Sequence, residues 1–221
     1  MNAPTQFVVV VDYGSGNLRS VAQALRAVAG ENVQVSISNN PAEILAAQRV
    51  VLPGQGAMPD CMKHLRASGL LDAVLHAAAH KPLMGVCVGQ QMLLDGSTEA
   101  HDGSGFTPAL GLIPGTVIQF EKGLLSPQGD RLKVPHMGWN EVRHESVHPI
   151  FAGIPSGERF YFVHSYYAQP ANPAHEIART DYGVQACAAV GKGNIVGLQF
   201  HPEKSAAAGL RLYKNFLDWV I

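Results

Sequence analysis

Apolar residues recur along this chain with two different periods, and the change from one to the other divides it. Residues 7–11 form an unbroken aromatic and β-branched run, the pattern of a strand buried on both faces. Asp12-Tyr13-Gly14-Ser15-Gly16-Asn17 follows as a turn. Leu18, Val21, Leu25 and Val28 then recur at helical spacing, with Gly30 where a C-terminal cap belongs. Residues 33–37 alternate like a second strand, and Pro41 opens a short helix through Ala47. Residues 50–52 make a third strand, cut by Pro53-Gly54-Gln55-Gly56. Residues 65–80 are helical in pattern, 83–86 form a fourth strand, and 90–94 begin another helix. This alternation predicts an α/β fold, an open and mostly parallel sheet flanked by helices.

The second half is richer in β pattern. Residues 116–200 read as many short strands punctuated by Pro and Gly, with 159–167 and 195–200 the clearest. Residues 206–220 form a closing helix, on which Leu210, Tyr213, Phe216 and Leu217 share a face. Residues 96–108 are the best candidate for a flexible surface loop. No internal repeat or low-complexity tract interrupts the chain, so 1–221 reads as one domain.

Composition narrows the classes. At 221 residues, 47% hydrophobic and 15% charged, the chain can bury a full core. A formal charge of -1 and a pI near 6.8, with no basic stripe, argue against nucleic acid as a partner. No apolar run approaches the roughly 18 residues that span a bilayer. Residues 1–6 lack the basic and apolar segments of a secretory leader, so a cytoplasmic, membrane-free protein is expected. The three cysteines, Cys61, Cys87 and Cys187, are odd in number and widely spaced, and read as free thiols.

Three segments carry candidate chemistry. In Gly85-Val86-Cys87-Val88-Gly89 a thiol ends a strand, with glycines that permit a sharp turn into a helix. The positive end of that helix would favour the thiolate, and the alternative is a buried, inert cysteine. In Gln199-Phe200-His201-Pro202-Glu203-Lys204 a strand runs into a histidine, and proline holds a carboxylate two residues on. A cysteine nucleophile needs such a base, and the base needs such an acceptor. A solvated His-Pro turn or a His-x-Glu metal site are the alternatives, the latter lacking further ligands at suitable spacing. The Pro53-Gly54-Gln55-Gly56 loop ends a strand where sites form in parallel sheets. Its N–H groups, with that of Val88, would suit an oxyanion, although an ordinary tight turn reads equally well.

Together, in this order, Pro53-Gly54-Gln55-Gly56, Gly85-Val86-Cys87-Val88-Gly89-Gln90-Gln91 and Gln199-Phe200-His201-Pro202-Glu203 resemble the signature of class I (triad) glutamine amidotransferases. The resemblance covers essentially the whole chain. It implies hydrolysis of glutamine through a thioester, with Cys87 as nucleophile, His201 as base and Glu203 as its orienting acceptor. It implies an oxyanion hole from Val88 and the Gly54, Gln55 and Gly56 loop, and glutamine held by Gln91, Ser165 and Tyr166. No cofactor or metal is implied. Residues 12–17, Pro135-His136-Met137-Gly138-Trp139-Asn140 and Phe162-Val163-His164-Ser165-Tyr166 resemble the branch that delivers ammonia to a (β/α)8-barrel cyclase subunit in a heterodimer. Asn17, Trp139, Tyr161 and Lys204 are then candidate docking residues, against plain readings as a turn, a core tryptophan, a strand aromatic and a surface cation. The family is usually apolar at Gln90, which is expected to face solvent here. Cys61 and Cys187 read as packing residues. The oxyanion loop is expected to be incompletely formed in the free chain, since uncoupled hydrolysis wastes glutamine. The alternative within the class is the glutaminase subunit of another ammonia-channelling synthase, and a binding module with a relic triad and a cysteine peptidase are the alternatives from other classes.

Overall fold

The computed structural model describes residues 6–101, 103–145 and 148–221. Residues 1–5, on which the reading of the amino terminus falls, lie outside the described residues, as does Asp102 within the candidate loop.

The first half follows the alternating pattern: β1 (Gln6–Val11), α1 (Leu18–Val28), β2 (Val33–Ser38), α2 (Pro41–Ala46), β3 (Arg49–Gly54), α3 (Met58–Ala67), α4 (Leu71–His80), β4 (Leu83–Cys87) and a single turn, α5 (Val88–Gln91). The second half adds β5 (Gly96–Ser97), β6 (Thr107–Pro108), β7 (Gly115–Gln119), β8 (His136–Val142), β9 (Glu158–His164), β10 (Tyr166–Pro170), β11 (Glu176–Asp181), β12 (Gln185–Lys192), β13 (Ile195–Leu198) and α6 (Ala206–Asp218). The main sheet runs β2-β1-β3-β4-β13-β12-β10-β7-β5-β6, with β11 beside β12. From β2 to β13 neighbouring strands are parallel; β12 turns the sheet antiparallel. β8 and β9 form a separate two-stranded sheet.

Strand order explains where the site forms. The chain leaves β1 for β2 on one side and returns to β3 on the other. Right-handed crossovers then place α1 and α2 on opposite faces. Accordingly α1 packs with α6, and α2 with α4. Covered on both faces, β1 is fully buried from Val8 to Val11. The order reverses between β1 and β3, which opens a crevice outside their carboxyl ends. Residues 12–17 and the Pro53–Gly56 segment meet there.

Local details differ from the sequence reading. The helical pattern of 65–80 is two helices, because Gly69 takes φ +75° and breaks the ladder between α3 and α4. Helix α1 ends at Ala29, in extended conformation, one residue before Gly30. The run 159–167 splits at Ser165 into β9 and β10, which belong to different sheets. The candidate loop 96–108 contains β5 and β6, which pair with each other at its base. Among the described residues no helix is long and apolar enough to cross a membrane.

Candidate active site

Cys87 sits at the tip of β4 with φ 57° and ψ -114°, a conformation that L-residues rarely adopt. The flanking glycines make this elbow possible. A Cβ on Gly85 would lie 2.6 Å from the Gly89 carbonyl oxygen, and one on Gly89 would lie 1.9 Å from that of Leu52. Glycine is therefore needed both for the turn and for packing α5 against β3. Because α5 is a single turn, its dipole is short.

His201 follows β13, the parallel neighbour of β4, so two adjacent strand ends bring it to Cys87. The turn after it is fixed from several directions. His201 N–H donates to the Tyr161 carbonyl, and Ser205 Oγ donates to the His201 carbonyl at 2.6 Å. Helix α6 packs on Pro202 so closely that a Cβ on Gly209 would come within 1.9 Å of the Pro202 oxygen. His201 Nδ1 donates to Glu203 Oε1 at 2.8 Å. That carboxylate also accepts from Asn17 Nδ2 and Tyr213 OH, each at 3.3 Å. Burial opposes the charge on Glu203, but the bond from His201 and the other donors win and hold its carboxyl below the usual range. On His201, burial pulls its proton affinity down, while Cys87 on one side and Glu203 on the other outweigh it and raise the imidazole to about 10. His201 Nε2 is buried, with no hydrogen bond of ordinary geometry, and Cys87 is the side chain it interacts with.

A cavity of about 340 Å³ opens at this point, lined by Cys87, His201, Val88, Gln55, Gly56, Gln91, Ser165, Tyr166 and Lys204 among others. The structure thus brings the predicted nucleophile, base, loop and substrate residues together. Gly54 lies just behind, paired with Cys87 across β3 and β4. Val50 N–H donates to the Pro82 carbonyl. Parallel ladders bond every second residue on both sides, so the same role falls to Leu52 and Gly54. A Cβ on Gly54 would meet Gly89 N at 2.6 Å and Val88 Cβ at 2.8 Å, so the loop backbone lies directly against the start of α5.

Several predicted residues take other positions. Gln90 is fully buried, with neither side-chain atom hydrogen-bonded, rather than facing solvent. It packs over β13, where a Cβ on Gly197 would meet its Cγ at 2.7 Å. Replacing this unsatisfied amide by an apolar chain of similar length, Gln90→Met, should raise unfolding stability by about 1–3 kcal/mol. A urea midpoint unmoved by the change would contradict that. Asn17 contacts Glu203 directly. Lys204 Nζ lies 5.6 Å from the centre of the Tyr161 ring, which meets Trp139 edge-on across β8 and β9. Trp139 is 45% exposed and Met137 62%, so neither is a core residue. Cys187 is buried, as expected of a packing residue.

Some residues escaped the sequence reading. Glu99 lines the cavity from the segment after β5, accepting from Met58 N–H at 2.9 Å. Burial raises its carboxyl above the ordinary range. Gln91 Nε2 donates to the Tyr166 carbonyl and to Gln199 Oε1. Gln199 was detectable as a polar residue inside an apolar strand. His136 of the Pro-His-Met-Gly-Trp-Asn segment is buried beside His164, with Nδ1 and Nε2 2.9 Å apart, and His164 Nδ1 lies 2.9 Å from the Tyr166 carbonyl. Burial keeps both imidazoles neutral, His136 at about 4 and His164 at about 3, the latter helped by its neighbour. One tautomer set satisfies the row: Asn140 Nδ2 donates to His136, His136 Nδ1 to His164, and His164 Nδ1 to Tyr166. Among the described residues no cluster of three or more His, Cys, Asp or Glu side chains is arranged to hold a metal.

A thiol on a strained elbow, an imidazole and a carboxylate meeting at the strand ends of such a sheet have the arrangement that nucleophilic acyl-transfer chemistry uses. The chain matches the family Glutamine amidotransferase class-I over residues 9–219, and it belongs to that family. It is 53% identical over 220 residues to "Imidazole glycerol phosphate synthase subunit HisH" of Dechloromonas aromatica, covering 99% of each chain. It is 52% identical over 213 residues to the protein of the same name from Aromatoleum aromaticum, covering 96% of this chain and 98% of the other. Among solved structures, PurLQS from Thermotoga maritima shares the fold with a TM-score of 0.70 at 19% identity, covering 97% of this chain and 98% of the other.

Proposed function

We propose that this chain is the glutaminase subunit of an imidazole glycerol phosphate synthase. It hydrolyses glutamine to glutamate and ammonia and passes the ammonia to a (β/α)8-barrel cyclase subunit, its partner in a heterodimer. The cyclase uses it to form imidazole glycerol phosphate and AICAR in histidine biosynthesis. The observation that supports the chemistry is the convergence of Cys87 and His201 on one cavity, with Glu203 paired to His201 behind it; the near full-length relatives support the pathway.

Cys87 attacks the side-chain amide carbon as a thiolate facing the His201 imidazolium. The tetrahedral oxyanion collapses as His201 Nε2 gives its proton to the departing ammonia, leaving a thioester on Cys87. Water, deprotonated by His201, then releases glutamate. Glu203 holds the imidazole in the orientation that presents Nε2 and offsets its positive charge. The oxyanion donors are Val88 N–H and an N–H of the Gly54, Gln55 and Gly56 loop, whose final alignment is assigned to engagement of the cyclase. That requirement keeps hydrolysis slow until the cyclase is engaged. Each donor contributes roughly 3–4 kcal/mol in the transition state.

Ser165 and Tyr166 hold the glutamine head groups chiefly through backbone. Gln91 spends its NH2 on protein acceptors, so it meets the substrate through Oε1. Glu99 supplies a carboxylate suited to the α-ammonium group. Glu99→Gln should therefore raise KM for glutamine about tenfold with kcat changed much less, because the bond is made equally in ground and transition states. A kcat loss at constant KM would reassign Glu99 to the chemistry. Docking of the cyclase is proposed at Asn17, Trp139, Tyr161 and Lys204, where the exposed Trp139 and half-buried Tyr161 lie beside Lys204, which lines the cavity.

The decisive experiment measures glutamate formed from glutamine by the chain alone and with a histidine-pathway cyclase plus its nucleotide ligand. Strong stimulation is expected. High activity indifferent to the cyclase would point to another partner.

A further inference from the structure

Two side chains that this chemistry does not use stand behind the oxyanion loop. Cys61, on α3, is fully buried, and its thiol donates to the Gln55 carbonyl at 3.3 Å. Ser15, in the turn after β1, donates to the same oxygen at 3.1 Å, and its Oγ lies 3.4 Å from Cys61 Sγ. Nearby, Tyr13 OH donates to the Pro53 carbonyl at 2.7 Å. Reading Cys61 as packing alone therefore overlooks its acceptor. The carbonyls of residues 53 and 55 are anchored from behind, one on each side of the Gly54–Gln55 peptide. A peptide unit is planar, so anchoring its oxygen also fixes the direction of its N–H. The two peptide units that flank Gly54–Gln55 are thus held from behind.

We infer that Ser15 and Cys61 are positioning residues for the glutaminase reaction, holding the Gln55 carbonyl so that the loop keeps its N–H donors aimed at the nucleophile. Neither touches glutamine. The inference rests on the function proposed above.

A packing role and a positioning role predict opposite orders of substitution. If Cys61 only fills space, Cys61→Val should be tolerated better than Cys61→Ser, because a buried hydroxyl costs more than a methyl group. If its donor matters, serine should preserve turnover and valine should not. The test measures kcat and KM for glutamine in the complex with the cyclase, alongside urea midpoints, for wild type, Cys61→Val, Cys61→Ser and Ser15→Ala/Cys61→Val. Expected are a kcat loss of about tenfold or more in the double variant with KM little changed, a smaller loss in Cys61→Val, and near wild-type kcat in Cys61→Ser. The double variant's loss stays short of the roughly 10²–10³-fold cost of removing an oxyanion donor outright. Unchanged kcat in the double variant, serine losing as much as valine, or a loss confined to KM would each overturn the inference. Wild-type protein without glutamine turnover would instead overturn the proposed function, and the inference with it.

Discussion

Cys87→Ala abolishes glutamine hydrolysis, with kcat falling roughly 10⁴-fold or more, while synthesis by the complex from added ammonium salts continues. The size of the loss follows from covalent catalysis: without the sulfur no thioester forms, and only binding and the oxyanion donors remain to assist water. The second half of the result follows from geometry. Cys87 lies in its own cavity on this chain, and ammonia supplied from solution bypasses that cavity. The substitution should leave folding intact, since the elbow depends on Gly85 and Gly89 and alanine removes one atom. Persistent glutamate production by the alanine variant would remove Cys87 from the mechanism and return it to the reading of an inert cysteine.

Glu203→Gln lowers kcat by roughly 10³- to 10⁴-fold, as neutralising the orienting acid does in comparable triads. The carboxylate accepts three bonds, from His201, Asn17 and Tyr213, and all three partners are donors as they stand. An amide keeps the shape but turns one oxygen into a donor, which at least one of the three must then face. It also removes the anion that helps raise His201. The sign is definite: without that anion the imidazolium gives up its proton at lower pH, so the histidine titration observed by NMR should shift downward. The conformational contribution runs the same way. The folded pKa of His201 lies above its unfolded value near 6.5, so its pairing stabilises the fold at low and neutral pH and is lost as pH rises toward 10. The variant should lose that share of stability. A variant with wild-type kcat and an unshifted histidine would show that Glu203 is structural.

The legible parts of the site share a physical cause. The elbow could be read because glycine two residues to either side of Cys87 is a local requirement of backbone geometry. His201 and Glu203 could be paired because a proline between them leaves the chain little freedom. Glu99 could not be read: it enters the cavity from the segment after β5, and its neighbour there, Met58, is remote in sequence. The His136 and His164 pair was half visible, as two histidines in separate motifs, but the register of β8 against β9 is what sets them opposite each other. Gln90 was misread because amphipathic expectations assume a helix with one wet face. A single turn wedged among β3, β4 and β13 has none.

The sequence by itself determined the strand and helix alternation of the first half, the turn that presents Cys87 and the turn that presents His201. Each depends on interactions between residues a few positions apart. Only the tertiary structure decided that those two turns lie on adjacent strands, that Asn17 and Tyr213 complete the Glu203 site, and that Ser15 and Cys61 anchor the loop facing the nucleophile. Those facts follow from strand order and register, which depend on how the whole set of apolar faces packs together, and no local pattern encodes that.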